Sequence, residues 1–257
     1  MRDRPLILVT NDDGITAPGI ANLIRLMKTI GNVVVVAPNS PQSGKGHAIT
    51  LEDPLRVHSV DIFSDVEAYE CSGTPVDCVK LAKNVIFKDR TIDLCVSGIN
   101  HGSNAGVNIL YSGTMSAAME ASLEGIDSIG FSLLDYSFDA VFEHADSFIL
   151  SIVKAVLDKK LSGSQLLNVN IPKNSDRGIQ GVKICKQGDG MWEEEFIKSE
   201  DPRGNDYYWM SGKFVTKKHG EATDLWALEN GYISIVPSTS DLTDYSQIEP
   251  LKYLLKS

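Results

Sequence analysis

Residues 6–19 read LILVTNDDGITAPG. The apolar run from Leu6 to Thr10 has the length and composition of a strand buried on both faces, the kind found in parallel sheets. It stops on Asn11, Asp12, Asp13 and Gly14, two adjacent carboxylates that repel each other and gain nothing from packing. Pro18 and Gly19 then open a helix in which Ile20, Leu23, Ile24 and Met27 fall at i, i+3, i+4 and i+7, one stripe facing a sheet. Gly31-Asn32 ends that helix, and VVVVA, Val33 to Ala37, is a second buried strand. Strand, helix and strand within about thirty residues make a βαβ unit with a right-handed crossover.

The same grammar continues outward. Pro75 fits the first turn of a helix with Val76, Val79 and Ala82 on one side. IDLCVSG, residues 92–98, is a buried strand; Gly113 to Gly125 is a helix with a glycine stop; Asp127 to Leu134 is another strand. Phe138 to Leu157 carries the longest amphipathic pattern, with Phe138, Val141, Phe142, Ala145, Phe148, Ile149 and Ile152 on one face. LLNVNIP, residues 166–172, closes the run of buried strands. After about residue 175, glycine, aspartate and aromatic residues alternate through DGMWEEEF and DPRGNDYYWMSGKF, the texture of projecting β-hairpins. GYISIVP, residues 231–237, returns to a core strand, and Ile248 to Lys256 has the character of a short helix. The expected fold is α/β: a Rossmann-like, doubly wound, mostly parallel sheet forming one domain over residues 1–257. Its α/β core covers about 1–175 plus 231–240, a β-rich extension about 176–230, and a C-terminal segment 241–257.

Bulk composition narrows the function classes. Hydrophobic residues make up 42% and charged residues 23%, ordinary for a globular chain. A net charge of −10 and a pI near 5.0 argue against a protein that coats duplex nucleic acid. Small phosphorylated ligands stay compatible, because a metal ion can supply the missing positive charge. The four cysteines, Cys71, Cys78, Cys95 and Cys185, have no CxxC spacing and read as buried free thiols. The N-terminal apolar run is too short for a signal peptide and no run approaches a membrane span, so the expected compartment is the cytoplasm.

Three strand ends carry polar tails. The first is Asn11 to Gly14; the second strand runs into PNSPQSGKG, residues 38–46; the strand at 92–98 runs into INHGSN, residues 99–104. In a parallel sheet these tails emerge on one edge, where such sheets bind ligands. They supply carboxylates, hydroxyls and carboxamides with almost no apolar surface. An oxygen-only donor set suits Mg²⁺, Mn²⁺ or Ca²⁺ rather than zinc or copper, and a divalent cation relieves the repulsion between Asp12 and Asp13. Side chains alternate across a strand, so both aspartates reach one ion only where the backbone leaves extended geometry, which Gly14 permits. Alone, Asp-Asp-Gly is also ordinary turn chemistry; the coincidence of three tails favours the cation.

Tyr111-Ser112-Gly113-Thr114 precedes the helix MSAAMEASLEG. Hydroxyls and free N–H groups at a helix N-terminus suit phosphate, and equally a plain N-cap by Ser112 or Thr114. Ser43-Gly44-Lys45-Gly46 resembles the tail of a phosphate loop, but Gly46 replaces the Ser/Thr and Asn39 stands where the first glycine belongs. Lys45 either approaches an anion or stays solvated. No GxGxxG follows the first strand, which argues against dinucleotide binding, and no GxSxG elbow is present, which argues against a serine hydrolase. His101 borders the site with no carboxylate partner visible in the sequence; His47, His58, His144 and His219 are scattered. Trp192, Trp209 and Trp226 read as packing or subunit-contact residues, and Glu193 to Glu195 as a solvated face.

In order, NDDGITAPG, APNSPQSG, SGINHGSN, YSGTMSAAMEA, DPRGNDYYW and TDLWALENGYISIVP, from about Leu6 to about Tyr245, resemble the SurE survival-protein family. The resemblance implies a metal-dependent nucleotidase whose β-hairpin and C-terminal elements build a homodimer, sometimes a homotetramer. It implies one Mg²⁺ or Mn²⁺ per subunit, held by Asp12, Asp13, Ser43 and Asn100, with Asp12, Asp13 and Asn100 as the catalytic set. Phosphate is then bound near Asn104 and the Ser112-Gly113-Thr114 turn. The implied substrates are nucleoside 5′- and 3′-monophosphates, with short polyphosphate in some members. The stretch AGVNIL after Asn104 and the loop 58–70 align least well, which leaves base preference open.

The expected chemistry is in-line attack of water on the phosphoryl group, for which positioning and electrostatics suffice. A free oxygen of Asp12 or of Asp13 orients or deprotonates the water, and no donor to the leaving alkoxide is evident. A Mg²⁺-binding, receiver-like signalling module is the rival from another class. It too sets an acidic pair after the first strand, but it needs a phosphorylatable aspartate on a later strand, where this chain has Ile99-Asn100. A metal-dependent nucleoside hydrolase fits the acidic cluster but gives YSGT no role.

Overall fold

Leu6–Thr10 forms β1, buried at every position. Its alternate side chains enter cores on opposite faces. Ile7 and Val9 join the core of α1 (Pro18–Ile30) and α4 (Asp146–Asp158); Leu6 and Leu8 join that of α2 (Pro75–Leu81) and α3 (Gly113–Leu123). A strand apolar on both faces requires this three-layer arrangement. The computed structural model describes residues 4–137, 139–158, 165–216 and 220–256. Pro18 sits at the first position of α1, where its missing N–H leaves nothing unpaired. The stripe read from the sequence is the buried one: Ile20, Leu23, Ile24 and Met27 are at most 3% exposed, which stabilises by roughly 1.5–3 kcal/mol per side chain before conformational entropy is counted.

Among the described residues nine strands make the main sheet. In spatial order they are β3 (Val57–Val60), β4 (Glu67–Cys71), β2 (Asn32–Pro38), β1, β5 (Leu94–His101), β6 (Asp127–Leu133), β7 (Leu166–Ile171), β11 (Ile233–Pro237) and β8 (Val182–Ile184). The strands from β4 to β7 are parallel, while β3 and β11 run antiparallel to their neighbours β4 and β7. Across the parallel strands the chain order is third, second, first, fourth, fifth, sixth, the doubly wound Rossmann order. The direction of winding reverses between β1 and β5, so the crevice opens beyond the ends of those two strands.

The structure departs from expectation at several places. β5 runs on through Asn100 and His101 instead of ending at Gly98, and its register against β6 gains a residue between Ser97 and Asn100. β3 and β4 were not legible, because VHSV and EAYEC are short and half-exposed. The amphipathic pattern starting at Phe138 overshoots its helix. Phe138 lies outside the described residues, Glu143–Ala145 is a single 3₁₀ turn, and α4 starts at Asp146. Phe142 and Ala145 are buried in the same core as α4 and Phe148 packs against it, which extends the apparent stripe, whereas Val141, read as part of that face, is exposed to solvent.

Among the described residues of the projecting region one hairpin is present, β9 (Gly190–Glu200) with β10 (Asp206–Thr216), while β8 forms the edge of the main sheet beside β11. The tail is one helical turn, α6 (Tyr245–Ile248), followed by a 3₁₀ stretch, Pro250–Lys256. All four cysteines are buried free thiols. His219 lies outside the described residues, and among those described no helix is long and apolar enough to cross a membrane.

Candidate active site

The crevice holds a cavity of about 640 Å³. Its floor is built from the tail of β1. Gly14 takes a φ of 99°, a conformation that favours glycine, and its carbonyl accepts from the Asn11 side chain at 2.8 Å and from the Ala17 N–H at 3.0 Å. Asn11 to Asp13 therefore leave strand geometry; Asp12 lines the cavity, whereas Asp13 is not among its lining residues and faces His101.

Asp12 is 3% exposed and tightly held. The Thr114 hydroxyl donates to its Oδ1. Its carbonyl accepts from the Gln42 N–H at 2.7 Å, which ties the tail of β2, and with it Ser43, to the tail of β1. A Cβ added at Gly113 would lie 2.6 Å from the Asp12 Cβ, so the close approach of α3 depends on glycine there. Burial pushes the Asp12 carboxyl up to about 6; the Thr114 hydrogen bond opposes this and the charge of Asp13 adds to it. Burial also pushes Asp13 up, against the pull of His101. The His101 N–H donates to Asp13 Oδ2 at 3.4 Å, and its ring Nδ1 lies 3.9 Å from the same oxygen. His101 thus has the carboxylate neighbour that the sequence did not reveal.

Asn100 is oriented by its own amide. Its Nδ2 donates to the carbonyls of His101, at 3.2 Å, and Gly102, at 2.8 Å, which leaves Oδ1 as the end able to meet a cation or a donor. Asn104, buried, donates from Nδ2 to Ser132 at 2.7 Å. Ser112 caps α3 by accepting from the Met115 N–H at 3.0 Å. Asp12, Ser43, Asn100, Asn104 and Ser112 all line the one cavity. Gly113 and Thr114 stand against Asp12 instead, and the exposed Lys45 lines a neighbouring groove.

These donors are all hard oxygens, the set that suits Mg²⁺ or Mn²⁺. Among the described residues no group of three or more His, Cys, Asp or Glu side chains is gathered to hold a metal. A cation here would rest on two carboxylates completed by the neutral oxygens of Ser43 and Asn100. A carboxyl raised chiefly by burial, and further by its neighbour's charge, is the electrostatic condition such an ion corrects.

Several supporting residues escaped the sequence reading. Asn168 and Asn170, on β7, are at most 2% exposed. Asn170 Oδ1 accepts from the Asn104 N–H at 2.7 Å and from Ser103 at 3.1 Å, and Asn168 Nδ2 donates to the Asn104 carbonyl at 2.9 Å. Two carboxamides inside the apolar stretch LLNVNI were the available signal, since buried amides are hydrogen-bonded. Asp224, fully buried, accepts from the N–H groups of Gly106, Gly188 and Leu225 at 2.7–2.9 Å and fixes the loops beneath the hairpin. Trp192 packs on Phe214 but also lines the cavity, as does Glu194; Trp209 is exposed and Trp226 stacks on Tyr232.

A family model described as Survival protein SurE matches residues 7–194. The 5′-nucleotidase SurE of Flavobacterium psychrophilum is 56% identical over 249 residues, covering 96% of each chain. That of Alkaliphilus metalliredigens is 43% identical over 249 residues, covering 96% of this chain and 98% of its own. The crystal structure of the SurE protein from Aquifex aeolicus matches with a TM-score of 0.83 at 41% identity, covering 98% of this chain and 100% of that one.

Proposed function

This chain belongs to the SurE survival-protein family, and from that premise we propose that it is a divalent-metal-dependent 5′-nucleotidase. It hydrolyses nucleoside 5′-monophosphates to nucleoside and phosphate, and acts also on 3′-monophosphates and short polyphosphate. The observation that carries this reading is the convergence of Asp12, Ser43, Asn100, Asn104 and Ser112 on one crevice at the switch point of the sheet.

One Mg²⁺ or Mn²⁺ per subunit would be held by Asp12, Asp13, Ser43 and Asn100. Such a cation, when bound, neutralises the phosphoryl oxygens and lowers the pKa of water. The chain's own residues do the rest. Asn104 and the Ser112 hydroxyl orient the phosphate beside the N-terminus of α3, whose dipole favours an anion. Thr114 and Gly113 hold Asp12 in place. Asp12 and Asp13 are the two carboxylates able to take the proton of the attacking water; Thr114 occupies an oxygen of the first, and the His101 N–H reaches one of the second. The end of β5 brings Asn100 rather than an aspartate to the crevice, so a receiver-like module has no phosphoacceptor there.

We assign the whole chain to one domain, with the hairpin and C-terminal segment as the contacts of a homodimer or homotetramer. Exposed apolar side chains support this, among them Ile197, Tyr207 and Trp209 on the hairpin and Leu251, Leu254 and Leu255 at the tail. The enzyme works in the cytoplasm on small nucleotides, not on duplex nucleic acid or at a membrane.

The test is phosphate release from a panel of 5′- and 3′-monophosphates and tripolyphosphate, each with Mg²⁺, Mn²⁺, Ca²⁺ or a chelator, for wild type and Asp13→Asn. Turnover should need Mg²⁺ or Mn²⁺ and should collapse in the variant. Activity that survives chelation, or a near-normal Asp13→Asn enzyme, overturns the reading.

A further inference from the structure

The cavity has a second wall whose chemistry differs from the phosphate side. It is made by the hairpin, from Trp192, Glu194, Met210 and Gly212. Strand alternation puts Trp192 and Glu194 on the same face of β9, and the register pairs Trp192 with Phe214 and Glu194 with Gly212. The residue opposite Glu194 therefore has no side chain, and a Cβ there would come within 2.6 Å of the Glu193 carbonyl oxygen. Gly212 thus lets the two strands close up at this point of the cavity wall, between Met210 and Phe214.

Trp192 is fixed before any ligand arrives. Its Nε1–H donates to Asn108 Oδ1 at 2.7 Å, and its ring meets Phe214 edge to face at 5.6 Å. A ring held in this way forfeits little freedom when a flat ligand stacks on it. The volume, about 640 Å³, falls in the range of small-molecule sites.

Building on the nucleotidase reading above, we propose that the inward face of this hairpin is the nucleobase subsite, with Trp192 as its stacking wall and Glu194 as the residue that selects guanine. A carboxylate only accepts hydrogen bonds. Guanine presents two donors side by side, N1–H and the N2 amino group, which one carboxylate accepts together. Adenine and cytosine each set a single amino group beside a ring acceptor, and uracil sets its N3–H between two carbonyls. Those acceptors face the carboxylate unfavourably, so the site should discriminate by missing and opposed hydrogen bonds rather than by size.

The experiment measures kcat/KM for GMP, AMP, CMP, UMP and ribose 5-phosphate with Mn²⁺, in wild type, Glu194→Gln and Trp192→Leu. Wild type should favour GMP over AMP by about tenfold. Glu194→Gln should shrink that ratio to near one. Trp192→Leu should lower every nucleotide relative to ribose 5-phosphate by roughly tenfold while keeping the order of bases. An unchanged GMP-to-AMP ratio in Glu194→Gln, or a wild type that handles GMP no better than ribose 5-phosphate, overturns the subsite. Calorimetric binding of guanosine and adenosine reads the same wall without turnover. Tighter guanosine binding that vanishes in Glu194→Gln supports the subsite, and equal binding in wild type refutes it. Failure to release phosphate from any of the five substrates instead sinks the nucleotidase reading, whichever way the nucleosides bind.

Discussion

Replacing Gly113 with alanine sets two effects against each other. Gly113 is the first residue of α3, and helix propensity favours alanine over glycine by about 1 kcal/mol. The new Cβ, however, would stand 2.6 Å from the Asp12 Cβ, 2.8 Å from its Oδ2 and 3.0 Å from its Cγ. Carbon atoms settle at about 3.5–4.0 Å, so something must move by roughly 1 Å. Asp12 is the part in the way, and the Thr114 hydroxyl and Gln42 N–H hold it from other sides. Overpacking of this kind costs about 1–3 kcal/mol, enough to cancel the propensity gain and exceed it. A displacement of about 1 Å at a reacting group lowers rate by about a hundredfold. The assay is phosphate release from GMP with Mn²⁺, paired with thermal unfolding. The expected result is a folded protein with Tm a few degrees lower and kcat/KM down by about two orders of magnitude. Wild-type turnover together with a raised Tm would refute the reasoning, because it would mean that propensity governs this turn and that Asp12 tolerates displacement.

Three further outcomes test the surrounding site. Metal-free Asp12 holds its proton more tightly folded than unfolded, since burial raises it from 3.8 to about 6. Its contribution to stability is therefore complete below pH 3.8 and lost as pH rises through about 6, an effect of roughly 3 kcal/mol at about 1.36 kcal/mol per pH unit. In chelator, Asp12→Asn should be more stable than wild type to urea at pH 7.5, with the advantage shrinking toward pH 4; equal stability across that range contradicts the burial argument. Thr114→Val removes the hydroxyl that answers Asp12, and should lower urea stability by about 1–3 kcal/mol; no change would mean the hydroxyl bond contributes nothing. Asp224→Ala leaves the N–H groups of Gly106, Gly188 and Leu225 buried without an acceptor. A loss of about 3–5 kcal/mol is expected in denaturant titration, and a loss under 1 kcal/mol would show that those loops have other support.

Much of this architecture is written where hydrophobic periodicity is strong. Leu6 to Thr10, the VVVVA run and the Ile20–Met27 stripe could only be buried strands and a buried helix face, and each is. Periodicity misled where burial came from tertiary packing rather than regular structure, as at Phe142 and Ala145. It was silent where strands lie at a half-exposed edge, as in VHSV. The polar tails could be placed on one sheet edge from topology alone, which brought Asp12, Ser43, Asn100 and Asn104 together. Which of their atoms are already engaged could not be read. The Thr114–Asp12 bond joins residues about a hundred positions apart, and the Asn168, Asn170 and Asp224 anchors act through backbone groups that no motif displays. Trp192 and Glu194 read as bland because their meaning depends on the hairpin folding over the crevice.

Anomalous scattering from a crystal soaked in Mn²⁺ interrogates the proposed metal site directly. One peak per subunit is predicted, about 2.0–2.6 Å from carboxylate oxygens of Asp12 and Asp13, the Ser43 hydroxyl and Asn100 Oδ1. A peak elsewhere, or an empty crevice with those four side chains turned apart, would contradict the proposed chemistry.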